Sequence, residues 1–127
     1  MCLRVIEGIG EWKRPKKAWG VFELLEGTVI TPCYSYAIDV DEKLKASNHF
    51  ERDDNGMEYR AGFHKYATEE DAKNSWLFSH TGTYFVCPVY LSGKYTIGIE
   101  GDAGKKIYVA EYMTVKKRDL EEAMKGL

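Results

Sequence analysis

Proline is scarce in this chain, three in 127 residues, and so are the features that staple or anchor a protein. The three cysteines, Cys2, Cys33 and Cys87, are odd in number, widely spaced and without a Cys-x-x-Cys pair. A disulfide framework wants paired thiols and a structural zinc site wants close pairs, so neither is expected. The pattern suits reduced thiols in a cytoplasmic protein, with Cys87 packed beside Pro88 in an apolar strand. No apolar run approaches the roughly 18 residues of a membrane-spanning helix. Met1-Cys2-Leu3-Arg4 lacks the apolar core of a signal peptide. The formal charge is only -2, so no basic excess supports bulk nucleic-acid binding. No repeat or linker divides the chain, which reads as one domain over residues 1–127, long enough to bury a core unaided.

Aromatic side chains are plentiful. Nine tyrosines stand against five phenylalanines and three tryptophans, and tyrosine favours strands and wet interfaces. Leu3 to Glu7 reads as a strand bounded by Gly8 and Gly10. Lys13-Arg14-Pro15-Lys16-Lys17 reads as a basic loop between Trp12 and Trp19. A second strand runs from Trp19 to Leu25 and turns at Glu26-Gly27. Val29 to Val40 alternates through Tyr34, Tyr36, Ile38 and Val40, with Pro32 marking an edge or bend.

Lys43 to Arg52 could be helical, but Asn55-Gly56 is a strong hairpin signal and the hairpin is favoured. The register expected from that tip sets Phe50 against Ala61, Glu51 against Arg60, Arg52 against Tyr59 and Asp53 against Glu58. Thr68 reads as the N-cap of a helix reaching Trp76 or Phe78, with Ala72, Ser75 and Trp76 on its packed side. Tyr84 to Leu91, a tight turn at Ser92-Gly93, Tyr95 to Ile99, a turn at Gly101 to Gly104, and Ile107 to Val115 follow as a meander. Lys117 to Lys125 closes the chain as a short helix, with Leu120, Ala123 and Met124 on one face. The fold class is α+β: a mainly antiparallel sheet of about seven or eight strands, one central helix and a short C-terminal helix.

Most chemistry-bearing motifs fail on spacing. Gly101 to Lys106 resembles the end of a phosphate loop, but Ile99 and Lys106 stand where glycine and a hydroxyl are needed. Gly8-Ile9-Gly10 lacks the third glycine of a dinucleotide fingerprint, since Lys13 stands there. Glu51 to Gly56 begins like a calcium loop, but the twelfth position is Gly62. His49, His64 and His80 have no metal-ligand spacing, and no metal or cofactor is expected.

Two groups of residues survive. Along Tyr59 to Tyr66, strand alternation sets Tyr59, Ala61 and Phe63 on one side and Arg60, His64 and Tyr66 on the other. The expected hairpin gathers His49, Glu51, Arg60 and His64 on one face, either an anion site or a salt-bridged surface, the second being favoured. Glu111 shares its strand face with Ile107, Val109, Met113 and Val115. It is either a buried carboxylate of functional interest or a wet one.

The stretch from Trp19-Gly20-Val21-Phe22 through Gly62-Phe63-His64-Lys65-Tyr66 to Val109-Ala110-Glu111 resembles small uncharacterised proteins common in phages and prophages. In these a Gly-aromatic-His strand precedes a Thr-x-Glu-x-Ala-type helix. The resemblance implies a compact accessory domain in a host cytoplasm and assigns no reaction. A weaker similarity to ADP-ribosyltransferases implies NAD as substrate, with Tyr66 near the nicotinamide and Glu111 as the late catalytic glutamate. No His-Gly or Arg-Gly strand opens this chain as that family requires.

The leading expectation is a non-enzymatic accessory protein that engages a host protein or a small anionic ligand such as a nucleotide. Arg60 and His64 would donate charge-assisted hydrogen bonds, and Tyr66 or Trp19 would form an aromatic wall. The tyrosine content suits a homo-oligomer. The alternatives are an NAD-consuming transferase built on Glu111 and Tyr66, and single-stranded nucleic-acid binding through Lys13 to Lys17.

Overall fold

The structure is a computed structural model, and it describes residues 3–31, 37–101 and 104–127. The described residues form eight strands, two short α-helices and one 3-10 turn. In chain order these are β1 (Val5–Leu25), β2 (Thr28–Ile30), β3 (Leu44–Lys45), β4 (Phe50–Arg52), β5 (Glu58–Arg60), β6 (Phe63–Tyr66), α1 (Glu69–Lys73), the 3-10 turn (Trp76–Ser79), β7 (Tyr84–Glu100), β8 (Lys105–Thr114) and α2 (Lys117–Ala123). The α+β class and the strand count expected from the sequence hold.

All pairings are antiparallel, and they close on themselves. β1 pairs with β7, β7 with β8, β8 with β6, and β6 returns to β1 through Trp19 and Tyr66. The ring is apolar on both faces. Phe22, Phe85, Val89, Leu91, Met113 and Val115 form one buried cluster, which α2 caps with Leu120. Leu3, Val21, Tyr59, Tyr66, Ile107 and Val109 form the other, covered by Ala72 of α1 and Leu77 of the 3-10 turn.

Long-range pairing overrides several local signals. The expected basic loop is part of β1: Trp12 faces Gly93 and Lys16 faces Leu91, so Lys13, Arg14 and Pro15 bulge opposite Ser92. Ser92-Gly93 is likewise no turn. Ser92 faces Tyr112 of β8 and Gly93 faces Trp12 of β1, and the bulge in β7 is Gly93-Lys94 opposite Glu111, with pairing to β1 kept on both sides. Gly93 has φ +79, and a Cβ there would lie 2.7 Å from both the Glu111 carboxylate and the Tyr112 ring. The expected three-strand meander is therefore one hairpin of β7 and β8.

The Glu26-Gly27 turn forms as expected, with both residues at positive φ (50 and 80) and Leu25 facing Thr28. Among the described residues, the strand expected from Val29 to Val40 is seen as the end of β2 and a bridge from Ile30 to Ala37, while Pro32, Tyr34 and Tyr36 lie outside the described residues. The hairpin of β4 and β5 exists, but its register is one residue away from expectation: Phe50 faces Arg60, Glu51 faces Tyr59 and Arg52 faces Glu58. The cause is Asp53. Its buried carboxylate accepts from the amides of Asn55 (2.9 Å) and Met57 (2.8 Å), making a wider loop than a two-residue tip. Phe50 and Met57 are exposed.

Thr68 caps α1 through a hydrogen bond from the Asp71 amide, as expected. The helix stops at Lys73, short of Trp76, because Ser75 caps a new 3-10 turn through the Leu77 amide. That break buries Ser75 and Leu77 and leaves Trp76 46% exposed, against the expectation that Trp76 would pack. The C-terminal helix packs Leu120, Ala123 and Met124 as its periodicity requires.

Candidate functional site

β6 is only four residues long, yet it stands between β8 on one side and β1 on the other. Beyond its ends β1 passes on to β2, and β8 passes on to β3, leaving a gap in the sheet between them. The gap is a cleft of about 310 Å³. Val21, Ile38, Leu44, Phe63 and Leu77 supply apolar lining, and His49, Glu51, His64, Lys65 and Tyr66 supply the polar groups.

His64 is placed by β6, where it pairs with Val109, and its side chain is only 7% exposed. Its Nδ1 lies 3.0 Å from the Gly62 carbonyl oxygen. A carbonyl can only accept, so Nδ1 carries the hydrogen and Nε2 holds a bare lone pair. Tyr59 packs edge-on to the ring at 6.2 Å between centroids. Burial, which disfavours the imidazolium, lowers the His64 pKa to about 4, although the Gly62 hydrogen bond and the Glu51 carboxylate pull the other way. His64 is therefore a neutral acceptor, not the charged donor expected from the sequence.

Glu51 comes from β4 and is held by the Tyr59 hydroxyl, which donates to Oε2 at 3.1 Å. Its two oxygens face two imidazoles: Oε2 lies 3.9 Å from His64 Nε2 and Oε1 lies 3.7 Å from His49 Nε2. Neither distance is a hydrogen bond. His64 Nε2 is buried and has no hydrogen-bond partner among the described residues. Among the described residues no set of three or more His, Cys, Asp or Glu has metal-holding geometry.

The remaining expected residues divide. Tyr66 lines the cleft but turns its hydroxyl to Ser75 Oγ (2.9 Å) and Glu100 Oε1 (3.3 Å). Burial raises the Glu100 pKa, opposed by that tyrosine and by Lys105. Arg60 lies elsewhere, in a second groove of about 600 Å³ with Tyr95, Thr96 and Glu111. Arg60 and His64 thus do not project together, because the chain leaves the β5 pairing at Ala61 and Gly62 before β6 begins. Gly62 lies so close to β8 that a Cβ would sit 2.4 Å from the Ala110 carbonyl oxygen. Trp19 lines neither cavity, and Lys17 Nζ lies 5.3 Å from its ring.

Glu111 falls between the two alternatives left open by the sequence. Ile107, Val109, Met113 and Val115 are buried, but Glu111 sits at the β7 bulge, its side chain 16% exposed. There it accepts from the Lys94 amide at 3.2 Å and pairs with Arg60 at 3.5 Å. Glu111 and Tyr66, the pair an NAD-consuming enzyme would need, open into different cavities.

Sequence reasoning missed Lys65, which is 7% exposed and has Nζ 5.0 Å from the centroid of the Phe22 ring. The signal was available in β6 itself, where Lys65 shares a strand face with Phe63; the single alternation expected from Tyr59 to Tyr66 is broken at Ala61 and Gly62, so Tyr59 and Phe63 pack in different clusters. No family model, curated protein or solved structure matches the chain. The described helices include none long and apolar enough to cross a membrane.

Proposed function

We propose that this protein is a small non-catalytic binding module, of the accessory type found in phages and mobile elements, whose cleft holds a small ligand such as a nucleotide. The observation that carries this reading is the cleft itself, an apolar-lined hollow of about 310 Å³ with a few converging polar groups, the usual makeup of a ligand site. Two features favour binding over catalysis. His64, with a pKa of about 4, is not matched to the near-neutral range in which a histidine works best as a proton shuttle. The glutamate and tyrosine of the enzyme alternative are parted between two cavities.

The test is a nucleotide and nucleoside panel read by amide chemical shifts and native mass spectrometry. Saturable shifts at Ala61 to Tyr66 and around Glu51, with the ligand recovered unchanged, are expected. Release of nicotinamide from NAD would establish the enzyme alternative instead. A panel that leaves those amides unmoved would remove the cleft as a ligand site.

A further inference from the structure

The cleft contains acceptors facing acceptors. The Nε2 lone pair of His64 and the Oε2 of Glu51 stand 3.9 Å apart, and neither carries a hydrogen to offer the other. His49 Nε2 stands 3.7 Å from the second oxygen of the same carboxylate. His64 Nε2 is buried without a donor among the described residues, and an acceptor in that state forfeits the hydrogen bond that water would otherwise give it. A donor atom about 2.9 Å from each group would span the 3.9 Å gap and satisfy both at once. Glu51 has lone pairs to spare beyond the one that Tyr59 occupies.

Resting on the cleft reading, we infer that this end of the cleft reads an N–H donor edge: an amino group of the ligand seats between His64 Nε2 and the Glu51 carboxylate. The class of ligand is an amino-bearing heterocycle of nucleobase size. Its uncharged ring suits Val21, Ile38, Leu44 and Phe63, and its exocyclic amino hydrogens serve the two acceptors. An anionic group has no place at this end, because it would bring a third acceptor beside a carboxylate and a neutral imidazole. If the ligand is a nucleotide, its base enters here and its phosphate stays outside. The Glu51 side chain, 18% exposed at the cleft, is the group that yields as the amino group reaches Nε2.

The experiment records the ring nitrogens of His64 by long-range proton–nitrogen correlation while nucleosides are titrated into the whole protein. Adenosine, cytidine and guanosine carry the amino group; uridine and inosine lack it; inorganic phosphate and zinc ion serve as the other probes. The amino-bearing nucleosides should move the Nε2 resonance in the direction of an accepted hydrogen bond. They should bind roughly tenfold or more tightly than uridine and inosine, the value of one such bond to a charged site. His64→Asn keeps a donor for the Gly62 carbonyl but removes the second nitrogen, and should abolish the preference. His64→Gln, whose amide oxygen reaches the Nε2 position, should restore part of it, and the backbone spectrum verifies that both variants fold.

Equal binding of cytidine and uridine, or tight binding of phosphate at this end, would overturn the inference and leave the cleft as a ligand site. A cleft indifferent to every nucleoside would overturn both readings. Stoichiometric zinc binding that moves His49 and His64 Nε2 together would replace the amino group with a metal ion and overturn the inference.

Discussion

The Nε2 of His64 faces the Oε2 of Glu51 at 3.9 Å across the cleft, two acceptors from strands β6 and β4, which the sequence separates by a loop and strand β5. This relationship ties stability, acidity and ligand chemistry to one ring. Its first consequence is a pH dependence that can be given a sign.

The folded state holds the His64 pKa at about 4, below the ordinary 6.5, so the unfolded chain binds the proton more readily between those values. Stability from this group is fully present above pH 6.5 and is lost as pH falls toward about 4. The shift corresponds to about 3 kcal/mol. Denaturant titrations at a series of pH values should show wild type losing that much more stability across the window than His64→Asn. Parallel curves for the two proteins would refute the burial argument.

Gly62 is required by the close approach of β8. Gly62→Ala should destabilise by about 1–3 kcal/mol, because the new Cβ meets a backbone oxygen that cannot swing aside. Gly8→Ala has nothing within 4 Å of its Cβ and serves as the control, expected within about 0.5 kcal/mol of wild type. Thermal midpoints decide the matter, and equal effects at the two positions would sink the steric account.

The loop between β4 and β5 depends on Asp53, whose carboxylate also lies 3.3 Å from the Ile6 amide. Asp53→Ala should cost about 1–3 kcal/mol, since the buried acceptor is lost. It should also speed hydrogen exchange at Met57. Because this loop fixes the register that brings Glu51 to His64, ligand affinity should fall with it. An unchanged Met57 exchange rate would show that the backbone alone holds the loop.

Glu111→Gln keeps an acceptor for the Lys94 amide and removes only the charge facing Arg60. The ion pair is partly exposed, so the loss should be at most about 1 kcal/mol. Cleft binding measured by isothermal calorimetry should be unaltered, since Glu111 lines the other groove. A large affinity loss would join the two cavities into one functional unit.

Local chemistry made much of the fold legible. Thr68 followed by Glu69, Glu70 and Asp71 supplies a capped helix start, Glu26-Gly27 supplies a hairpin turn, and the alternation of β8 marks its buried residues. Where tertiary pairing competes with a local preference, the local reading fails. Ser92-Gly93 has turn chemistry, yet β1 and β8 offer partners on both sides and the chain runs on as one strand, with a bulge at Gly93-Lys94. Asn55-Gly56 has hairpin chemistry, yet the Asp53 side chain claims the nearby amides and shifts the register by one. A one-residue shift exchanges strand partners, which is why Glu51 meets Tyr59 and not Arg60.

From its own residues, then, the chain determined an antiparallel α+β domain, two short helices and the strand that carries His64. Those outcomes follow from contacts between near neighbours: caps, turns and the period of apolar side chains. The closing of the sheet, the gap beside β6, the parting of Arg60 from His64 and the meeting of His64 with Glu51 belong to the tertiary structure. They depend on which distant strands pair and in what register, a competition among long-range contacts that no short stretch of sequence contains.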